Sequence, residues 1–200
     1  EKDGVGGEDT PEKIAQHCLD LKEKMGFKVY KLKGGVSSPE FDLETMGLMD
    51  KKLGKDVQFR FDPNAVWSVE TTLNFAPKFL KYNIQYLEDL VWGLEASARV
   101  RRELKVPMAT NMFVVCLDDL PLNARLNAFD VILGDVHKWG GIAATKKQAA
   151  VCEVFGWGMS MHSGAELGIS TAATLHVAAS TPQIYLPLDT HYYHLVDEII

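Results

Sequence analysis

Short apolar runs alternate with longer stretches of helical periodicity along most of this chain. The runs are VYKLK, VQFRFD, IQYLED, VPMATN, DVILGD, WGMSMH and IYLPLD. Each is bounded by turn or cap residues and is rich in branched or aromatic side chains, as buried strands are. Between them lie amphipathic segments with clear start and stop signals. Thr10-Pro11 opens a helix with Ile14, Cys18, Leu21 and Met25 on one face and Gly26 as its stop. Ser38-Pro39 opens a second, with Leu43, Met46 and Leu53 inward and Gly54 after it. Trp67-Ser68 opens a third that carries Leu73 and Phe79, and Pro77 should kink or shorten it. A charged helix is predicted over 95–105, a weaker one over 120–126, one over 142–155 closed by Gly156, and a last over 165–179.

This alternation predicts an α/β fold with a parallel sheet. Seven strands are predicted and no eighth. The pattern has no break, so one domain is assigned over 1–200. Residues 1–9 are Gly-rich and acidic and read as a loop, too short for a further strand and helix. The expectation is therefore the larger part of a longer protein, with the strand of Lys31 left as an edge.

The ends of the apolar runs carry the chemistry. In order they are Lys31 and Lys33, Asp62, Glu88, Asn111, Asp135, His162 and Asp189, the last followed by Thr190 and His191. Successive ends from Asp62 onward lie about 25 residues apart, roughly one strand–loop–helix unit of a β/α barrel, whose C-terminal rim holds the chemistry of such enzymes. A single polar strand end is cheaply explained as a helix cap. Seven in register with compatible chemistry are not. Two carboxylates and an amide oxygen suit a hard cation such as Mg²⁺. Lys31 and Lys33 share one strand face across Leu32. Facing a metal, Lys33 would have its proton affinity lowered by burial and neighbouring positive charge, which makes it a candidate base.

Bulk properties narrow the class. Of 200 residues, 46% are hydrophobic and 24% charged, with a formal net charge of -6. That charge argues against general nucleic-acid or membrane-surface binding. Cys18, Cys116 and Cys152 are an odd count without metal-ligand spacing, expected as reduced, partly buried thiols of a cytoplasmic protein. No apolar stretch is long enough to span a bilayer.

Taken together, YKLKGG, FDPN, YLED, ATNM, Asp135, His162 and LDTH resemble the glucarate dehydratases of the mandelate racemase branch of the enolase superfamily. The resemblance runs from about Thr10 to His194. It implies a modified (β/α)₇β barrel of the TIM type, here without its first strand and without the N-terminal α+β capping domain. It implies Mg²⁺ held by Asp62, Glu88 and Asn111. It also implies Lys33 and His162 as bases on opposite substrate faces, Asp135 behind His162, and Lys31 and Asn64 at the substrate. Asp189 and His191 are implied as substrate-binding residues. The implied reaction removes the proton α to a carboxylate and expels the β-hydroxyl as water through a metal-stabilised enediolate. The implied partner is a small acid sugar, no nucleic-acid or membrane partner is expected, and the full-length form is expected to be a homo-oligomer.

Other readings use the same residues. An epimerase or racemase would exchange a proton between Lys33 and His162 without losing water. A non-catalytic relative would keep the barrel as a binding protein. A phosphate-binding barrel isomerase would want glycine-rich loops that HSGAELG does not supply. Lys138 and Glu166 depart from the dehydratase pattern, and with His137 they lie near the rim without an assigned role. Trp67, Trp92, Trp139 and Trp157 are expected to pack. GGIAA lacks the lysine and serine of a phosphate loop.

Overall fold

The protein is described here by a computed structural model over residues 7–197. Most of the loop expected over 1–9, and the last three residues of the chain, lie outside the described residues. The described residues form two compact units, one ending at Pro107 and the other beginning at Met108.

In the first unit the order is α1 (Pro11–Met25), β1 (Val29–Lys33), α2 (Pro39–Leu53), β2 (Gln58–Asp62), α3 (Val69–Phe79), β3 (Ile84–Glu88) and α4 (Leu94–Glu103). The strands are parallel, β1 pairing with β2 and β2 with β3. Within this unit β1 is an edge. The helix starts follow the cap chemistry read from the chain. Thr10, Ser38 and Ser68 accept from the backbone N–H of Lys13, Phe41 and Thr71 at 3.3, 3.3 and 3.0 Å. Gly26 ends α1 in the left-handed region at φ 72°. Pro77 lies inside α3, which stops two residues later at Phe79.

The buried faces differ in detail from those predicted. In α1 the fully buried residues are Pro11 and Ala15, Ile14, Cys18 and Leu21 are half-buried, and Met25 is 46% exposed. In α2 the face is Asp42, Thr45, Met46, Met49 and Leu53. All of Phe59 to Asp62 is buried, as expected for a strand covered on both sides. Phe61 stacks on Phe79 with ring centroids 4.4 Å apart and meets Trp67 at 5.0 Å.

The second unit runs β4 (Met108–Thr110), α5 (Leu120–Leu126), β5 (Val131–Gly134), α6 (Ile142–Phe155), β6 (Gly158–Met161) and α7 (Gly168–Ala179). β4 pairs with β5 and β5 with β6, again in parallel. α7 begins three residues later than predicted. Ala165 sits at φ 69°, a left-handed conformation that cannot start a helix.

The seventh strand is not formed as a regular strand. The 183–189 segment runs beside β6, with Leu186 and Asp189 N–H donating to the carbonyls of Met159 and Met161. Pro187 interrupts the ladder because it has no N–H. Its carbonyl instead accepts from Ser160 Oγ at 2.6 Å.

Two further expectations need correction. Trp67, Trp139 and Trp157 are buried, but Trp92 is 72% exposed and is not a core residue. Of the cysteines, Cys152 is buried and Cys18 half-buried, whereas Cys116 is exposed in the turn that precedes α5. No helix among the described residues is long and apolar enough to cross a membrane.

Candidate active site

In the first unit the ladder sets the polar strand ends side by side. Lys33 is paired in register with Asp62 across β1 and β2. Phe61 is paired with Leu87 across β2 and β3, so the next positions along the two strands are Asp62 and Glu88. Both carboxylates are fully buried. Lys33 Nζ donates to Asp62 Oδ2 and, at 3.2 Å, to Asn64 Oδ1. The other Asp62 oxygen accepts from Asn64 N–H at 2.8 Å. Lys31 Nζ donates to both Glu88 oxygens, at 3.0 and 3.3 Å. The Lys31 side chain is 10% exposed and that of Lys33 38%, so Lys33 is the more open of the two.

Local geometry explains how these groups reach one place. Asn64 adopts φ 50°, a left-handed turn that asparagine tolerates and that folds its side chain back toward Lys33. Gly34 follows Lys33 where the Phe61 ring closes in. A Cβ there would stand 2.3 Å from Phe61 Cε2 and 2.7 Å from Asp42 Oδ2, so only glycine fits without a shift.

In the second unit, Asn111 follows β4 and is 5% exposed. Lys138 Nζ reaches its side-chain oxygen at 3.2 Å and its carbonyl at 3.3 Å. Asp135 follows β5. Its Oδ2 lies 3.2 Å from His162 Nδ1. Its Oδ1 accepts from the backbone N–H of His137 and Lys138, both at 3.2 Å, and stands 2.9 Å from His137 Nδ1. Burial pushes the Asp135 carboxyl up, but the His162 hydrogen bond, the Lys138 N–H and the two nearby imidazoles outweigh it and hold it below the usual carboxylate range. With Nδ1–H donating to Asp135, His162 presents Nε2 as an acceptor.

A cavity of about 310 Å³ opens beside His162, lined also by Glu166 and Asp189. His191 is set back from it, with Nδ1 3.2 Å from Ser163 Oγ. Ser163 was not singled out from sequence. It is 5% exposed and its hydroxyl donates to Glu166 Oε2 at 2.5 Å. A small polar residue after a histidine gives no signal of that contact. Glu166, His137 and Asp135 each bring one possible ligand atom within 4.8 Å of one another. An imidazole in that set suits a softer ion than Mg²⁺. Asp62 and Glu88 in the first unit, and Asn111 in the second, each offer only oxygen as a ligand atom, the donor type that suits a hard cation.

Residues 13–200 match the enolase C-terminal domain-like family. The chain belongs to that family. Its parallel α/β architecture is therefore of the barrel class expected from the strand ends. A probable glucarate dehydratase of Streptomyces coelicolor is 40% identical over 192 residues, covering 96% of this chain and 44% of that protein. An arabinonate dehydratase of Saccharolobus solfataricus is 32% identical over 178 residues, covering 88% and 48%. A solved enolase of Gibberella zeae, complexed with magnesium, formate and sulfate, superposes with a TM-score of 0.86 at 39% identity, covering 91% of this chain and 42% of that one. The chain thus spans about half the length of the relatives it matches.

Proposed function

We propose that the protein is a Mg²⁺-dependent dehydratase of acid sugars. The observation that carries this reading is that two buried strand-end carboxylates, Asp62 and Glu88, each face a lysine ammonium. A carboxylate withdrawn from water needs positive charge beside it. Oxygen donors held this way suit a hard divalent ion, and lysines beside them suit proton removal. The dehydratase names of the two relatives above support the reaction class.

In this reading Asp62, Glu88 and Asn111 hold Mg²⁺. When bound, the ion supplies electrostatic stabilisation for negative charge that builds on the substrate carboxylate. Lys31 pairs with that carboxylate. Lys33, held by Asn64, first gives up its ammonium proton to solvent and then, as the neutral amine, takes the α-proton from one substrate face. His162, oriented by Asp135, serves the other face, and as imidazolium it donates to the departing β-oxygen. The electron pair of the C–H bond becomes the C=C bond of an enol. The β C–O bond breaks with its own pair, and the oxygen leaves as water with the imidazolium proton. Tautomerisation gives a keto-deoxy sugar acid. Asp189 and His191 are assigned to substrate hydroxyls.

The test is a screen of the full-length protein with Mg²⁺ against a panel of acid sugars, read as keto-acid formation. Turnover that is lost on Asp62→Asn or Glu88→Gln supports the reading. Magnesium binding without any keto acid, but with exchange of the α-proton, would favour an epimerase. No Mg²⁺ binding at all would favour a binding protein.

A further inference from the structure

Asp42 is a buried carboxylate that the mechanism above leaves unused. It lies in the first turn of α2 and is 3% exposed. Its Oδ2 accepts from the backbone N–H of Gly35 at 2.9 Å. Burial pushes its carboxyl up, and the Gly35 hydrogen bond opposes that without help from a neighbouring cation. A charge withdrawn from water in this way is costly to keep. What it holds is the turn directly after Lys33.

That turn is interlocked with the turn after β2. Gly35 has φ 79°, a left-handed conformation that favours glycine. A Cβ on it would stand 2.5 Å from Val66 Cγ2 and 2.6 Å from the Pro63 carbonyl oxygen, so the two turns meet without slack. The second turn is bent through Asn64 at φ 50° and Ala65 at φ 60°. Residues with a Cβ hold such angles only where their surroundings impose them. Ala65 N–H donates to the Asp89 carbonyl at 2.6 Å, and Asn64 N–H to Asp62 Oδ1 at 2.8 Å. From this turn Asn64 Oδ1 accepts from Lys33 Nζ at 3.2 Å.

We propose that Asp42 is a positioning residue for Lys33. It fixes the Gly34–Gly35 turn, the Pro63–Val66 turn is set against that, and Asn64 thereby meets the Lys33 amine. Asp42 itself touches no substrate and moves no proton. Its effect on the reaction rests on the acid-sugar reading above, whereas its link to Asn64 stands apart from that reading. Misplacing a reacting group by about 1 Å costs on the order of 100-fold.

The experiment uses the full-length Mg²⁺-loaded protein, with deuterium incorporation from D₂O into two α-epimers reading each substrate face. Asp42→Ala should lower kcat for exchange from the Lys33 face by about 10–100-fold, with little change in KM or in the His162 face. Asp42→Asn keeps an oxygen for the Gly35 N–H and should restore most of that loss. Added to Asn64→Ala, Asp42→Ala should cost little more, because the two act in series. Equal loss from both faces, no restoration by asparagine, or full additivity overturns the inference. Asp42→Ser, whose oxygen stops one bond short of Gly35, replaces Asp42→Ala with the same expectation if that variant does not fold. Amide hydrogen exchange judges the link without turnover. Asp42→Ala should speed exchange at Gly35 and over 64–66 while the β2 amides keep their protection. Unchanged exchange over 64–66 overturns the inference. A wild type that exchanges no α-proton from any acid sugar sinks the acid-sugar reading, and the amides still decide the link.

Discussion

Asp135→Asn isolates the role of the carboxylate behind His162. In the wild type, Asp135 only accepts, so His162 must keep its proton on Nδ1 and its lone pair on Nε2. An asparagine amide can place its N–H₂ against Nδ1 and hold its oxygen for the N–H groups of His137 and Lys138, which now bond to Oδ1. Nδ1 must then accept, the proton moves to Nε2, and the ring has no lone pair for a substrate proton. The same substitution behind a catalytic histidine elsewhere costs about 10⁴-fold through the wrong tautomer. Loss of a positioned base generally costs roughly 10²–10⁴-fold. Exchange of the α-proton from the His162 face should fall by that range, while exchange from the Lys33 face should change by less than about 10-fold. The charge-assisted bond to His162 is buried, so stability should also fall, by about 1.5–3 kcal/mol. The assay is deuterium incorporation from D₂O into two α-epimers by the full-length Mg²⁺-loaded protein. Nitrogen NMR of His162 reads the tautomer independently of activity. Equal loss from both faces, or an unchanged tautomer with unchanged exchange, would refute the reasoning.

Further outcomes can be checked on stability and reactivity. Phe79→Ala removes a fully buried ring stacked on Phe61 and should destabilise by about 3–5 kcal/mol in denaturant titrations; a cost below about 1 kcal/mol would contradict the packing. Asp135 and Glu166 both titrate below the usual carboxylate range in the folded protein. Their contribution to stability is therefore fully present above the unfolded carboxylate values near 4 and lost as pH falls through the folded ones. Unfolding free energy should drop below about pH 4, and Asp135→Asn combined with Glu166→Gln should flatten that slope. A maleimide reagent should label exposed Cys116 in the native protein. It should reach Cys152, which is buried and whose thiol is pushed up to about 12 by burial, only after unfolding. Native labelling of Cys152 ahead of Cys116 would contradict the burial assigned here.

Much of this architecture was legible because parallel strands announce themselves. An apolar run such as VILG is buried on both faces, and a polar residue directly after it sits at the rim. The capped helices were equally plain, since Thr10, Ser38 and Ser68 are local signals. Legibility failed where the deciding interaction is long-range or conformational. Apolar character alone made IYLPLD a strand, but Pro187 cannot donate to a ladder. Trp92 is as hydrophobic as Trp67, and nothing nearby in sequence says that only one of them finds a core. The contact of Lys138 with Asn111 and the approach of His137 to Asp135 join residues whose rim positions were clear but whose partners were not. Glu166 was unassigned from sequence because its contact with Ser163 spans the left-handed turn at Ala165, a conformation that alanine does not advertise.

The central claim, α-proton removal with loss of the β-hydroxyl, is tested most directly by mass spectrometry of turnover in D₂O. The full-length Mg²⁺-loaded protein would be supplied with an acid sugar, and substrate and product masses followed together. The account predicts a product that has lost one water and gained one carbon-bound deuterium, absent when both Lys33→Ala and His162→Asn are in place. Deuterium gained at the α-carbon with no loss of water, or no isotopic change with any acid sugar, would contradict it.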